Sequence, residues 1–272
     1  MDTVVRVGAV NYLNTKPLIH EFDRLAPDAE LILDVPSRLA DRLAAGDLDV
    51  ALIPVVEYFR AGCYSVVPNI AIASRGPVLS VTLFSRKPWH EIRRVALDVG
   101  SRTSAALTQI LLCKRHGLTP EITPLSLAQD AEEVDADAVL LIGDRAMRAC
   151  LPGFVHAYDL GQEWFDWTGL PFVYAVWAVR EGADLGGVAQ ALTEAKRRGL
   201  EAVGRIAQDE APRLQLDPGF CRRYLSNILH FDLGPREQAG LHHYYLLACE
   251  LGLVRQGVKL EYYRATHLAE SY

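Results

Sequence analysis

Two short polar turns, each following an apolar run, carry the residue types in this chain that can do chemistry. The first is Asn14-Thr15-Lys16, inside "VGAVNYLNTKPLI" (7–19). Its amide and hydroxyl donate and accept hydrogen bonds without adding negative charge. The second is Gly100-Ser101-Arg102-Thr103-Ser104, which opens the apolar stretch "AALTQILL". A helix start has up to four free N–H groups and about half a positive charge, so it suits an anion. Hydroxyls on Ser101, Thr103 and Ser104 and the guanidinium of Arg102 add donors shaped for a carboxylate or phosphate. Each turn also has a plainer reading. Asn14 can cap a helix beginning near Lys16, and Ser101 or Thr103 can cap the second helix beside an exposed arginine.

Three further places are candidates. Ser80 stands in "GPVLS", where an apolar strand begins; a surface serine is the alternative. "LIGDRAM" ends a buried-looking strand at Gly143-Asp144. The glycine permits close backbone approach, and the aspartate is a base, a ligand contact or the cap of the next helix. "DLGQEWFDWTGLPF" (159–172) gathers Glu163, Trp164, Trp167 and Thr168, either as an aromatic cleft edge or as filling between lobes. There is no His-Glu-x-x-His, P-loop, Gly-x-Gly-x-x-Gly or Gly-x-Ser-x-Gly. The adjacent pair His242-His243 would point about 100° apart on a helix and chelates poorly. The five cysteines are scattered, with no Cys-x-x-Cys, and read as reduced core thiols. Neither a metal nor a cofactor is expected.

Strand-like runs at 4–10, 30–34 and 49–53 alternate with helical spacing at 16–25, 37–45 and 55–61, the pattern of a parallel sheet covered by helices. That pattern recurs. "RVGAVNYLNT" (6–15) is matched by "RVALDVGSRT" (94–103), and "DLDVALIPVVEYFRA" (47–61) by "DADAVLLIGDRAMRA" (135–149), both at an offset of 88. Two similar α/β lobes follow, with "VLSVTLFSRKP" and "LPFVYAVWAVR" as two crossing strands of a hinge. Residues 1–86 with 180–272 would form lobe one and residues 87–179 lobe two, the helical C-terminal part completing the first. The two polar turns then face one another across a cleft, where ligands of open α/β sheets sit.

A net charge of −6 argues against a nucleic-acid partner, and Lys196-Arg197-Arg198 reads as a solvated helix face. No apolar run approaches the roughly 18 residues that span a membrane. The sequence opens Met-Asp and passes directly into a strand with no export signal, so a cytoplasmic location is expected. Oligomeric state is not readable.

Taken together, "VGAVNYLNTKPL", "GDLDVALIPVVEY", "GPVLSVTLFS", "SRTSAALTQILL", "VLLIGDRAM" and "WTGLPFVYAVWA" resemble the chorismate dehydratases of the futalosine route to menaquinone, in family order from residue 7 to about 178. The resemblance implies the two-lobed fold of type II periplasmic binding proteins. It also implies a lyase that removes water from dianionic chorismate to give 3-[(1-carboxyvinyl)oxy]benzoate. Asn14 falls on the family's asparagine and takes the main catalytic role, binding the departing C4 hydroxyl. Ser80 and the Ser101–Ser104 turn, Arg102 and Thr103 included, go to the substrate carboxylates, with Thr15, Gly143, Asp144 and Thr168 as further contacts. Two rivals remain: the related 1,4-dihydroxy-6-naphthoate synthase of the same pathway, and a non-catalytic small-anion-binding protein.

Overall fold

The Val-, Ile- and Leu-rich runs form two sheets in this computed structural model, which describes residues 4–126 and 128–265. In chain order the strands are β1 (Arg6–Val10), β2 (Glu30–Asp34), β3 (Val50–Pro54), β4 (Ser65–Ser74), β5 (Val81–Ser85), β6 (Arg94–Asp98), β7 (Glu121–Leu125), β8 (Ala138–Ile142), β9 (His156–Asp159), β10 (Phe172–Val179) and β11 (Leu229–His230). The α-helices are α1 (Phe22–Leu25), α2 (Pro36–Ala44), α3 (Val55–Ala61), α4 (Arg102–Ile110), α5 (Gly143–Arg148), α6 (Leu160–Thr168), α7 (Val188–Glu201), α8 (Val203–Leu214), α9 (Pro218–Arg223) and α10 (Pro235–Glu250).

The first sheet runs β11-β4-β10-β3-β1-β2 and the second β7-β6-β8-β5-β9. Each has three parallel strands and, beside them, one antiparallel strand, β10 or β5. The repeat is structural: β6 starts at 94 against 6 for β1, and β8 at 138 against 50 for β3. Strands β3, β8 and β10 are buried along their whole length. That double-sided burial is why they read as unbroken apolar runs rather than as alternation.

The pairing corrects the expected crossing strands. Val81–Ser85 pairs only within the second sheet and Phe172–Val179 only within the first. The chain changes sheets earlier, through residues 75–80 and 160–171, so each half of the repeat donates its last strand to the other half's sheet. We therefore propose a lobe division at these two linkers in place of 86/87 and 179/180; residues 1–3 and 266–272 lie outside the described residues. Among the C-terminal elements, β11 pairs with β4 of the first sheet.

Two local expectations also change. The helix expected over 16–25 is a 3-10 run, Leu13–Ile19, followed by α1 after Glu21 at φ 54°. Pro17 lies inside that run; it has no N–H and its ring collides with an α-helical turn, so the tighter winding prevails. The cysteines are all free, but only Cys221 is buried, while Cys63 and Cys150 are exposed.

Both linkers are held by one side chain. Asp159, the N-cap of α6, accepts from the backbone N–H groups of Gly161 and Gln162 at 3.0 Å each in the second linker. It also accepts from Val78 at 3.0 Å and Leu79 at 2.7 Å in the first. Helix α10 braces the same region. Its buried Glu237 pairs with Arg75 at 2.9 Å, and its Tyr244 packs against Trp164, whose indole N–H donates to the carbonyl of Pro171 at 3.2 Å. Trp164 is thus filling, not cleft wall. No helix among the described residues is long and apolar enough to cross a membrane. Replacing Asp159 with alanine strands N–H groups of both linkers, and urea unfolding of Asp159→Ala is expected to show a loss of about 3 kcal/mol.

Candidate active site

The carboxyl ends of the parallel strands of both sheets converge on one cavity. Asn14 and Tyr12 line it from the turn after β1, and Ser101 and Ser104 from the turn after β6. Ser80 of the first linker, Gly143 after β8 and Tyr174 of β10 close the sides. It measures about 50 Å³, room for a few water molecules. A wider hollow of about 700 Å³, around Tyr64, Arg180 and Lys259, is lined by none of the turn residues.

Asn14 does not cap its helix; Tyr12 holds that position without a side-chain bond. Instead the hydroxyl of fully buried Thr15 donates to Asn14 Oδ1 at 3.2 Å. That bond leaves the Asn14 Nδ2 hydrogens to point elsewhere. Thr15 lies behind the site rather than in it. From below, α7 presses on the same turn at Gly199, where an added Cβ would fall 2.0 Å from the Pro17 carbonyl oxygen. Lys16 is engaged by Glu210 at 3.3 Å. Ser80, 2% exposed, accepts from the Tyr224 hydroxyl at 2.8 Å, and its carbonyl accepts from Gly143 N at 2.7 Å. Tyr224 also neighbours Asn14, and burial pushes its hydroxyl well above the usual phenol range, so it stays a donor.

At the second turn, Ser101 is the N-cap of α4, accepting from Ser104 N at 3.4 Å, and its hydroxyl donates to Ser104 Oγ at 2.8 Å. The buried Asp98 shapes the turn from behind, accepting from Gly100 N at 2.7 Å. Burial raises the Asp98 carboxyl above its ordinary value, against the pull of that bond and of Arg145. Arg102 departs from expectation. Its guanidinium pairs across the cleft with Asp41 at 2.8 Å and Glu57 at 3.4 Å, instead of entering the cavity. Two carboxylates on the facing helices α2 and α3 thus hold this cation. Thr103 is likewise spent across the cleft, its hydroxyl accepting from Val56 N at 3.2 Å. Asp144 accepts from Leu13 N at 3.3 Å, and burial raises its carboxyl. Thr168 is elsewhere: its hydroxyl donates to Trp164 O at 2.8 Å and accepts from Leu170 N at 3.1 Å, closing α6.

The sequence reading missed three aromatic hydroxyls, on Tyr12, Tyr174 and Tyr224. Tyr12 stood in the quoted turn and could have been found by its place at a strand end. Tyr224 could not, because it reaches Ser80 from 144 positions away.

Two sheets that exchange strands around a cavity at their carboxyl ends are the two-lobed fold of periplasmic binding proteins, and solved structures agree. Protein AF1704 from Archaeoglobus fulgidus superposes with a TM-score of 0.70 at 15% identity, covering 92% of this chain and 98% of that one. The periplasmic aliphatic sulphonate binding protein SsuA from Escherichia coli gives 0.68 at 16% identity, covering 100% and 96%. Within that fold, the chain belongs to the menaquinone biosynthesis family, whose model matches residues 5–250. A chorismate dehydratase of Thermus thermophilus is 35% identical over 254 residues, 86% of this chain and 92% of that protein. One of Campylobacter jejuni is 25% identical over 250 residues, 89% and 96%.

Gly143 has φ +60°, and a Cβ there would sit 3.0 Å from the Tyr12 ring. Gly143→Ala is expected to lose about 1–2 kcal/mol from the left-handed backbone alone. Thermal unfolding measures this, and turnover is expected to fall with it as Tyr12 is displaced.

Proposed function

We propose that this protein is a chorismate dehydratase, a hydro-lyase acting in the cytoplasm on dianionic chorismate to give 3-[(1-carboxyvinyl)oxy]benzoate. The observation that carries the reading is the meeting of Asn14, Ser80, Ser101 and Ser104 in one cavity, with Tyr12 and Tyr174 also in its lining. Family membership and the chorismate dehydratases among its relatives support it.

The chemistry suits such a site. Loss of the C3 proton and the C4 hydroxyl makes the ring aromatic, so the driving force lies in the substrate. The C3 proton is acidified through the ring diene by the carboxylate at C1. As the C3–H bond breaks, its electron pair becomes the new ring double bond. The C4–O bond breaks in turn, and the departing hydroxide takes up the proton removed from C3, so that the net loss is one water. The protein has to orient the ring and stabilise charge on the leaving oxygen, which preorganised neutral donors do well. In this reading Asn14, held by Thr15, donates Nδ2–H to the C4 hydroxyl as it departs. Ser101, Ser104 and the positive end of α4 receive one substrate carboxylate, and Ser80, backed by Tyr224, receives the other. No histidine, lysine or carboxylate is among the residues lining the cavity, so a carboxylate of the substrate itself takes the C3 proton.

The test is to mix the purified protein with chorismate and follow the ultraviolet spectrum. Catalytic loss of the diene with growth of a benzoate is expected. Stoichiometric binding without change would make the protein a receptor, and turnover of the cyclic futalosine intermediate instead would make it the naphthoate-forming lyase. Asn14→Asp puts a negative charge where an oxyanion develops. It is expected to lose 100-fold or more in kcat, the scale of a missing oxyanion donor, with an unchanged melting temperature.

A further inference from the structure

Several helical segments begin without a side-chain cap of their own, and two of them in the first lobe take an acceptor from the second lobe instead. The 3-10 run Leu13–Ile19 starts after Tyr12, and α3 starts after Pro54, neither of which makes a side-chain bond to the turn that follows. Ser, Thr, Asp or Asn normally fills that place, because the first N–H groups of a helix have no partner within it. Here both partners come from the second lobe. Asp144 accepts from Leu13 N at 3.3 Å, and Thr103 Oγ1 accepts from Val56 N at 3.2 Å.

Asp144 is the more telling of the two. Standing in the first turn of α5, it is placed to serve its own helix, yet that helix follows Ile142 with no side-chain cap. It is 9% exposed and makes no ion pair among the described residues. Its carboxylate is spent on the residue directly before Asn14. Thr15 after Asn14 is held by burial within its own lobe, whereas Tyr12 packs against Gly143 of the same opposing helix as Asp144, so the Tyr12–Leu13 end of the turn is the part that lobe closure completes.

We propose that Asp144 is a positioning residue that caps the Asn14 turn from the opposite lobe, so that the catalytic amide is set only when the cleft is shut. Thr103 does the same for α3. Opening the lobes hands both N–H groups to water, and closing over a substrate returns them. Substrate capture and alignment of Asn14 then become one event. This rests on the reading of Asn14 as the group that acts on the leaving hydroxyl.

The experiment compares Asp144→Ala and Asp144→Asn with the unaltered protein, measuring kcat and KM for chorismate and hydrogen exchange at the Leu13 amide. Asp144→Ala is expected to lower kcat at least 10-fold with KM within 3-fold, and to speed Leu13 exchange. Asp144→Asn keeps an acceptor oxygen and is expected to stay within 3-fold of the original kcat with Leu13 protected. Three results would overturn the proposal: unchanged turnover in Asp144→Ala, unchanged Leu13 exchange in that variant, or an Asp144→Asn as inactive as Asp144→Ala. The last would make the carboxylate itself a chemical group. Should Asp144→Ala fail to fold, Asp144→Ser, too short to reach Leu13, takes its place. If the unaltered protein does not consume chorismate, the functional reading fails, while the exchange measurement still decides whether the cap exists.

Discussion

Four backbone N–H groups, two from each linker, converge on the carboxylate of Asp159, and the rest of the molecule is arranged around that knot. A carboxylate oxygen accepts more than one donor, and charge-assisted bonds of this kind are about twice as strong as neutral ones. The two strands of chain that pass between the lobes are therefore fixed relative to one another at their closest point. Ser80 follows directly on Val78 and Leu79, so the same knot sets the serine that lines the cavity. Helix α10, through Glu237 and Tyr244, braces the same two linkers.

On the proposed reading, the cavity would receive a dianion without a resident cation. Arg102 is drawn to Asp41 and Glu57 and Lys16 to Glu210, which leaves hydroxyls, an amide and a helix end. Fixed neutral dipoles in a closed, dry space stabilise charge that develops during a reaction, and they need little reorganisation at that moment. A buried lysine or arginine would hold the ground-state carboxylates just as tightly, binding substrate and transition state alike, which does nothing for kcat. The ion pairs that removed Arg102 from the site also link α4 to α2 and α3, so the same charge serves closure.

Much of this was legible in the sequence, for identifiable reasons. The offset of 88 could be read because β1 and β6, like β3 and β8, need the same apolar run and the same polar exit. The turns at 14–16 and 100–104 stood out because they are the equivalent exits of two repeated strands and so face one another across the cleft. The exchange of β5 and β10 was not readable. A strand buried on both faces has the same composition whichever sheet receives it, so the segments were placed correctly in sequence and wrongly in space. The fates of Arg102, Thr103 and Asp144 were hidden for a related reason. Each sits where a local role is chemically sensible, and each finds its partner across a cleft whose width no sequence pattern records. Thr168 was misread as cleft-facing because an aromatic cluster beside it served the linker brace instead.

The exchanged strands also bear on how the chain must be made. β10 lies between β3 and β4 in the first sheet, so those two strands have nothing to pair with on their facing edges until β10 arrives. At ordinary translation speeds the stretch from Ser74 to Phe172 takes on the order of 5–20 s to emerge from the ribosome. For all that time the newborn first lobe carries two open, strongly apolar edges, which are templates for wrong pairing. The architecture that joins the two lobes so tightly thus leaves the nascent first lobe incomplete until nearly two thirds of the chain has been made.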